Sequence, residues 1–392
     1  MSQNGETETG RVGAETFSVS SRPYHLHHTR ARPEPDVRKI AVLRSSGIGD
    51  YVFALPALEA LRAAYPEAEI VYLGLDWHNR FLKGRPGPVD RVEVVPKTRG
   101  VSVPEDGEED IQAAEPFFKR MRAEKFDLAL QMHGGGRNSN PFVVRLGARL
   151  TAGCRTNDAL PLDRWVPYVY YQPEFLRYLE VVSLVGAYPV RLEPDLIVTE
   201  ADEAEAESVI PILDKPLAIL HPGAGDPRRR WPVEKFAEVG NTLVWSGAHV
   251  VVTGSEEDRE LAEQVASTIP AGAENLAGRL SLGGLVGLIS RAAVMVSNDS
   301  GPLHLAEAVH TPTVGIYWAG NLINAGPVTR TRHRPVLSWR LDCPVCGLDN
   351  TRYSCEHQAS FVADVSTLEV QSSALELLEQ AASSERKLLP SF

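Results

Sequence analysis

Two short polar loops, each set between an apolar run and an amphipathic run, hold the residues of this 392-residue chain best suited to chemistry. The first, Ser45-Ser-Gly-Ile-Gly-Asp50, follows the strand-like Lys39–Arg44 and leads into Val52, Leu55, Leu58 and Leu61 at helical spacing. The second, Ser297-Asn-Asp-Ser-Gly301, follows Ala292–Val296 and leads into Leu303, Ala306, Glu307 and His310, with Pro302 in the first turn, where its missing N–H costs nothing. Each loop therefore ends at a helix N-terminus, which presents unpaired N–H groups and about half a unit of positive charge. Ser300 and Gly301 could hold a phosphate there. Asp299 would repel a diphosphate and suits the hydroxyls of an attached sugar, unless it or Ser300 only caps the helix. In the first loop, Asp50 sets a negative group where a pyrophosphate would lie. Val52 also occupies the place of the third small residue of a dinucleotide fingerprint, so this loop presents a carboxylate instead.

Further loops fall at the C-terminal ends of apolar runs. His221-Pro-Gly-Ala-Gly225 and Gly254-Ser-Glu-Glu-Asp258 should converge with the 297–301 loop on one crevice. Glu256 or Glu257 could accept ribose hydroxyls, or be exposed carboxylates at a helix start. In Arg228-Arg-Arg-Trp231, Arg229 or Arg230 could neutralise a diphosphate leaving group, against a solvated basic turn. His133-Gly-Gly-Gly-Arg137 lines a ligand crevice or is a plain turn. Cys343-Pro-Val-Cys346, Cys355 and His357 offer soft ligands at spacings a structural zinc could use; reduced thiols in a loop are the alternative.

These loops need a scaffold, and apolar runs alternating with amphipathic ones through both halves imply parallel sheets covered on both faces. Residues 1–36 are poor in bulky apolar groups and read as a disordered arm; His25, His27 and His28 lie in it. Residues 37–190 form one β/α domain, 191–216 a proline-rich linker with an acidic helix, 217–365 a second β/α domain, and 366–392 a C-terminal helix and tail expected to pack back on the first domain. Pro56 is expected to kink or restart the first helix. The formal charge of −11 argues against a general nucleic-acid binder. With no apolar stretch near 20 residues and no secretory leader, a cytosolic protein is expected, with peripheral membrane contact open to the basic 22–38 segment.

Three motifs in this order resemble glycosyltransferase family 9, the heptosyltransferases of lipopolysaccharide core assembly: Arg44-Ser-Ser-Gly-Ile-Gly-Asp50 with Leu55-Pro-Ala-Leu58, His221-Pro-Gly-Ala224 leading to Arg229-Arg-Trp-Pro232, and Asn298-Asp-Ser-Gly-Pro-Leu-His304. The resemblance spans about residues 38–380. It implies a GT-B fold, two facing Rossmann-like α/β domains, with the acceptor on the first and the nucleotide-sugar donor on the second. It also implies an inverting, metal-independent transfer of a heptose-like sugar from a nucleotide diphosphate, ADP-heptose in the family, to a glycan or lipid-linked acceptor, with no cofactor beyond the donor. Asp50 takes the place of the general base, Asp299 of the donor-sugar contact, and Ser300, Gly301, His304, Gly223 and Ala224 of phosphate contacts. Arg229 stands where a lysine is expected, His310 where a glycine is usual, and Tyr317-Trp-Ala-Gly320 where Phe-Gly-Pro is usual. The alternatives are a non-catalytic nucleotide-sugar-binding protein that uses the second half alone, and a GT-B-type sugar-nucleotide epimerase that alters the donor without any acceptor.

Overall fold

The computed structural model describes residues 31–270 and 272–388. The three histidines of the N-terminal arm lie outside them. The first half runs β1 (Lys39–Leu43), α1 (Ile48–Ala64), β2 (Glu69–Gly74), α2 (Asp76–Leu82), β3 (Arg91–Val94), α3 (Ile111–Glu124), β4 (Leu128–Gln131), α4 (Ser139–Val144), β5 (Leu150–Arg155), β6 (Arg164–Pro167) and α5 (Glu174–Ser183). The second runs α6 (Glu200–Val209), β7 (Leu217–His221), α7 (Val233–Trp245), β8 (His249–Val252), α8 (Arg259–Ser267), β9 (Glu274–Asn275), α9 (Leu282–Ser290), β10 (Val294–Asn298), α10 (Gly301–Ala308), β11 (Thr313–Trp318), α11 (Ala319–Ala325), β12 (His333–Ser338) and α12 (Thr367–Leu388).

All strand pairs in the two sheets are parallel, and the orders are β3-β2-β1-β4-β5-β6 and β12-β11-β10-β7-β8-β9. Numbered within its own half, the second sheet repeats the order of the first. In β1, Ile40 and Val42 enter one apolar cluster while Ala41 and Leu43 enter another, the alternation of a strand covered by helices on both faces. Strand order reverses between β1 and β4 in one sheet and between β7 and β10 in the other, and loops splay apart at such points to leave a crevice. The Asp50 loop follows β1 and the His133 loop follows β4. The His221 loop follows β7 and the Asp299 loop follows β10. Topology thus brings these four loops to two crevices, one in each sheet.

Three sequence expectations change. Helix α1 runs unbroken through Pro56; Pro56 and its neighbours Ala54, Leu55, Ala57 and Leu58 are all buried, and this packing outweighs the missing N–H. Residues 31–36 are fastened to the first sheet's helices and strands rather than loose: the Glu34 N–H donates to Tyr65 Oη (2.9 Å), its carboxylate pairs with Arg164 (2.7 Å), and Arg149 donates to the Pro35 carbonyl (2.9 Å). Helix α12 lies on α7 and the second sheet, not on the first domain. Val370, Ala374, Leu377 and Leu378 on one side of it join the apolar cluster of Phe236, Val250 and Val296.

Candidate active site

A cleft of about 760 Å³ opens between the two sheets, bounded by the Asp50 loop on one side and the His221, Ser255 and Asp299 loops on the other. Within it the N-termini of α1 and α10 approach each other closely. A Cβ on Gly49 would stand 2.9 Å from His304 Cδ2, and one on Gly301 would stand 2.8 Å from Ile48 Cβ. Neither glycine has a positive φ; each is small because the opposite helix is in the way. The Phe53 ring rests on the His304 imidazole with centroids 4.5 Å apart.

Asp50 is in the first turn of α1, and its side chain is about one-third exposed (32%). One carboxylate oxygen pairs with Arg44, and the other accepts the Gly47 N–H at 3.1 Å. The capping role and the chemical one are therefore compatible, since a carboxylate has about four acceptor positions. Arg44 is buried and lies 5.6 Å from the Tyr178 ring. His133 Nδ1 is 3.4 Å from both Arg44 Nη1 and Ser46 Oγ. Burial, with the Arg44 charge adding to it, pushes the His133 pKa down to about 3. His133 is neutral at pH 7 and faces Arg44 as an acceptor.

Asp299 does not hang free in the cleft. It is 2% exposed, and its carboxylate takes Arg229 Nη1 (3.1 Å), Asn321 Nδ2 (2.6 Å) and His304 Nε2 (3.2 Å). The other ring nitrogen of His304 meets Glu307 at 3.0 Å, and Tyr317 donates to the second Glu307 oxygen at 3.3 Å. Burial opposes a charge on His304, but Glu307 and Asp299 outweigh it and carry its pKa from 6.5 to about 9. An imidazolium thus sits at the α10 N-terminus, held between two carboxylates. Ser300, the residue before α10, makes no side-chain cap hydrogen bond, so the helix end stays open to a ligand.

Opposite, Arg230 donates to the Ala224 carbonyl at 3.1 and 2.9 Å, and Gly223 is small because a Cβ would stand 2.7 Å from Asp258 Oδ2. Arg228 turns away to grip Asp226 and lies 5.5 Å from the Phe361 ring. Glu257 lines the cleft; Glu256 does not, being exposed and bound to Arg259. His221 is buried against Thr253 (3.1 Å), and burial drives its pKa down to about 4.

The profile of glycosyltransferase family 9 (heptosyltransferase) matches residues 115–343. The chain belongs to this family. It is similar to lipopolysaccharide heptosyltransferase 2 of Salmonella typhimurium, 28% identical over 298 residues, covering 71% of this chain and 82% of the relative. It is also similar to the lipopolysaccharide core heptosyltransferase OpsX of Haemophilus influenzae, 24% identical over 304 residues and covering 74% and 82%. Among solved structures, the E. coli ADP-heptose heptosyltransferase II superposes with a TM-score of 0.68 at 21% identity, covering 88% of this chain and 99% of the other. The family 9 glycosyltransferase of Veillonella parvula gives 0.70 at 21%, covering 88% and 97%. The fold is GT-B, and the protein is a glycosyltransferase.

In this family 9 enzyme the structure brings Asp50, Gly223, Ala224, Arg229, Arg230, Glu257, Asp299, Ser300, Gly301 and His304 to one cleft and leaves Glu256 outside it. Glu307, Asn321, Asn324 and Asp258 were not anticipated. Glu307 follows His304 by three residues on a helix, a spacing that puts the two side chains together. Asn321 and Asn324 come from α11 and had no sequence signal. His310 has φ of 63°, which is why glycine suits its position.

The His304 charge carries a pH dependence. With the folded pKa raised to about 9 from 6.5, the stabilisation is complete below about pH 6.5 and is lost as pH rises through about 9. It amounts to roughly 3 kcal/mol. Thermal melts from pH 6 to 10 should show a falling Tm across this window for the parent chain and a flatter profile for His304→Gln; parallel profiles would contradict the assignment.

Proposed function

We propose that this glycosyltransferase moves a heptose from ADP-heptose to a lipid-linked core glycan of lipopolysaccharide, with inversion at the anomeric carbon and without a metal in the cleft. The observation that carries the reading is the apposition of Asp50 on one sheet with the open α10 N-terminus, His304 and Arg229 on the other. The heptose donor and core acceptor come from the similar lipopolysaccharide heptosyltransferases.

In this reading the donor diphosphate lies against Ser300, Gly301, Gly223 and Ala224, with Arg229, Arg230 and the His304 imidazolium offsetting charge that grows as the glycosidic bond breaks. Arg229 is well placed for this. Its guanidinium is held at Asp299 while its side chain stays 31% exposed, so its position is set before the donor arrives. Asp299 acts through Arg229, Asn321 and His304 rather than by touching the sugar, a change from the expected sugar contact. Glu257, in the cleft, is left for the donor's ribose hydroxyls. Asp50 accepts the proton of the attacking acceptor hydroxyl, and Arg44 orients its carboxylate.

The acceptor is assigned to the first domain and the donor to the second, with residues 191–216 joining them. Among the described residues no helix is long and apolar enough to cross a membrane, so access to a lipid-linked acceptor from the inner face of the membrane would be peripheral. The expected assay result is transfer from ADP-heptose to a core acceptor with the opposite anomeric configuration in the product by NMR, without added divalent ions. Retention of configuration, or an isomerised donor with no acceptor present, would overturn this reading.

A further inference from the structure

Between β12 and α12 the chain runs through residues 339–366, a span of 28 residues without a regular strand or helix. Ordered connections of this length are uncommon unless something fastens them. Within it, Leu341–Asn350 folds back on itself. Asp342 and Asp349 pair as an antiparallel bridge, the Cys343 N–H donates to the Leu348 carbonyl (2.9 Å), and the Gly347 N–H donates to the Cys343 carbonyl (2.9 Å). Gly347, directly after Cys346, has φ of 72°, the left-handed conformation that lets the chain reverse around the Cys-x-x-Cys pair. The Val345 N–H points at Cys343 Sγ at 3.5 Å, a donor that favours sulfur as thiolate.

The returning chain then places Cys355 and His357 against this turn. The donor atoms of Cys343, Cys346, Cys355 and His357 all lie within 4.8 Å of one another. The cysteines are free of disulfides, and His357 Nδ1 is buried with no hydrogen-bond partner. A buried ring nitrogen left unpaired is costly and calls for a partner. In a tetrahedral zinc site with Zn–S near 2.3 Å, ligand atoms stand about 3.8 Å apart, so the four need move in by only about 1 Å.

We propose that Cys343, Cys346, Cys355 and His357 form a tetrahedral site for a soft divalent metal ion, zinc or ferrous iron, that staples this loop. Three thiolates and one imidazole select these ions over magnesium or calcium. The site is structural, since its ligand set leaves no open position and it lies outside the residues lining the cleft. Its connection to the cleft is indirect: Ser360 Oγ donates to the Arg230 carbonyl (2.6 Å) and the Phe361 N–H to the Arg228 carbonyl (2.7 Å), so the stapled loop supports the backbone of the arginine turn.

The test uses the full-length chain purified under reducing conditions and passed over a mild chelating resin, with zinc and iron measured by mass spectrometry. The expected result is about one equivalent of zinc or iron per chain, and the ion retained distinguishes the two. Cobalt(II) added to the stripped chain should give tetrahedral d–d bands with thiolate charge transfer, which zinc then erases, and zinc should protect three thiols from alkylation. The Cys343→Ser/Cys355→Ser chain should lose the ion, and Cys154→Ser should keep it. Less than about a tenth of an equivalent after incubation with both metals and no tetrahedral cobalt spectrum, or unchanged metal content in the double variant, would overturn the proposal. The cobalt spectrum of the unsubstituted chain decides the matter even if the double variant does not fold.

Discussion

Asp50→Asn is expected to lower kcat by between about 10²- and 10⁴-fold, the range a positioned general base contributes, with donor affinity changed by less than about threefold. The amide keeps the shape of the carboxylate and can still accept the Gly47 N–H, so α1 should start where it does now. It cannot take a proton from the acceptor hydroxyl, and it loses the charge that Arg44 pairs with. The donor contacts proposed above come from the other sheet and stay in place. Single-turnover rates with saturating donor, alongside calorimetric titration of the nucleotide sugar, separate the two quantities. A variant that keeps turnover within tenfold of the parent would remove Asp50 from the base role.

Asp299→Ala is expected to cost stability as well as activity. The substitution leaves Arg229 without its buried counter-charge, leaves His304 with Glu307 alone, and frees the Asn321 amide. Breaking a buried pair from one side costs about 3–5 kcal/mol. A carboxylate whose only task was to touch the donor sugar would leave Tm nearly unchanged when removed, so the melting temperature of the ligand-free protein discriminates the two roles. Asp299→Asn should fall between the parent and the alanine variant, because the amide can still accept from Arg229. An alanine variant that melts with the parent, yet has a weakened donor KM, would return Asp299 to direct sugar contact.

Much of the architecture was readable from periodicity. Lys39–Arg44, Leu217–Leu220 and Ala292–Val296 are apolar runs of strand length, and the glycine-containing loops after them mark strand ends. Where the sequence misled, tertiary packing was responsible. Pro56 breaks an isolated helix but not one buried along most of its length, and residues 31–36 look unstructured until Tyr65 and Arg164 take hold of Glu34. Strands β9 and β12 had weak signals because an edge strand needs burial on fewer sides. At the site, the loops were legible because residue type follows chemistry there. The direction of Asp299 was not, since its partners come from α10, from α11 and from the arginine turn, some 70 residues apart for Arg229 and Asp299. Glu256 and Glu257 differ by one position and face differently, which only backbone geometry decides.

The tight fit of Gly49 to His304 and of Gly301 to Ile48 bears on how the two sheets can move. Enzymes with a deep cleft between domains commonly open and close it to admit substrate and expel water. Here a close contact between the two halves lies beside the Asp50 carboxylate and the α10 N-terminus. A swing about that contact would carry the outer rims of the cleft far while the fulcrum stayed almost still. Asp50 and the α10 N-terminus would keep their spacing through the whole stroke, and the rims alone would part.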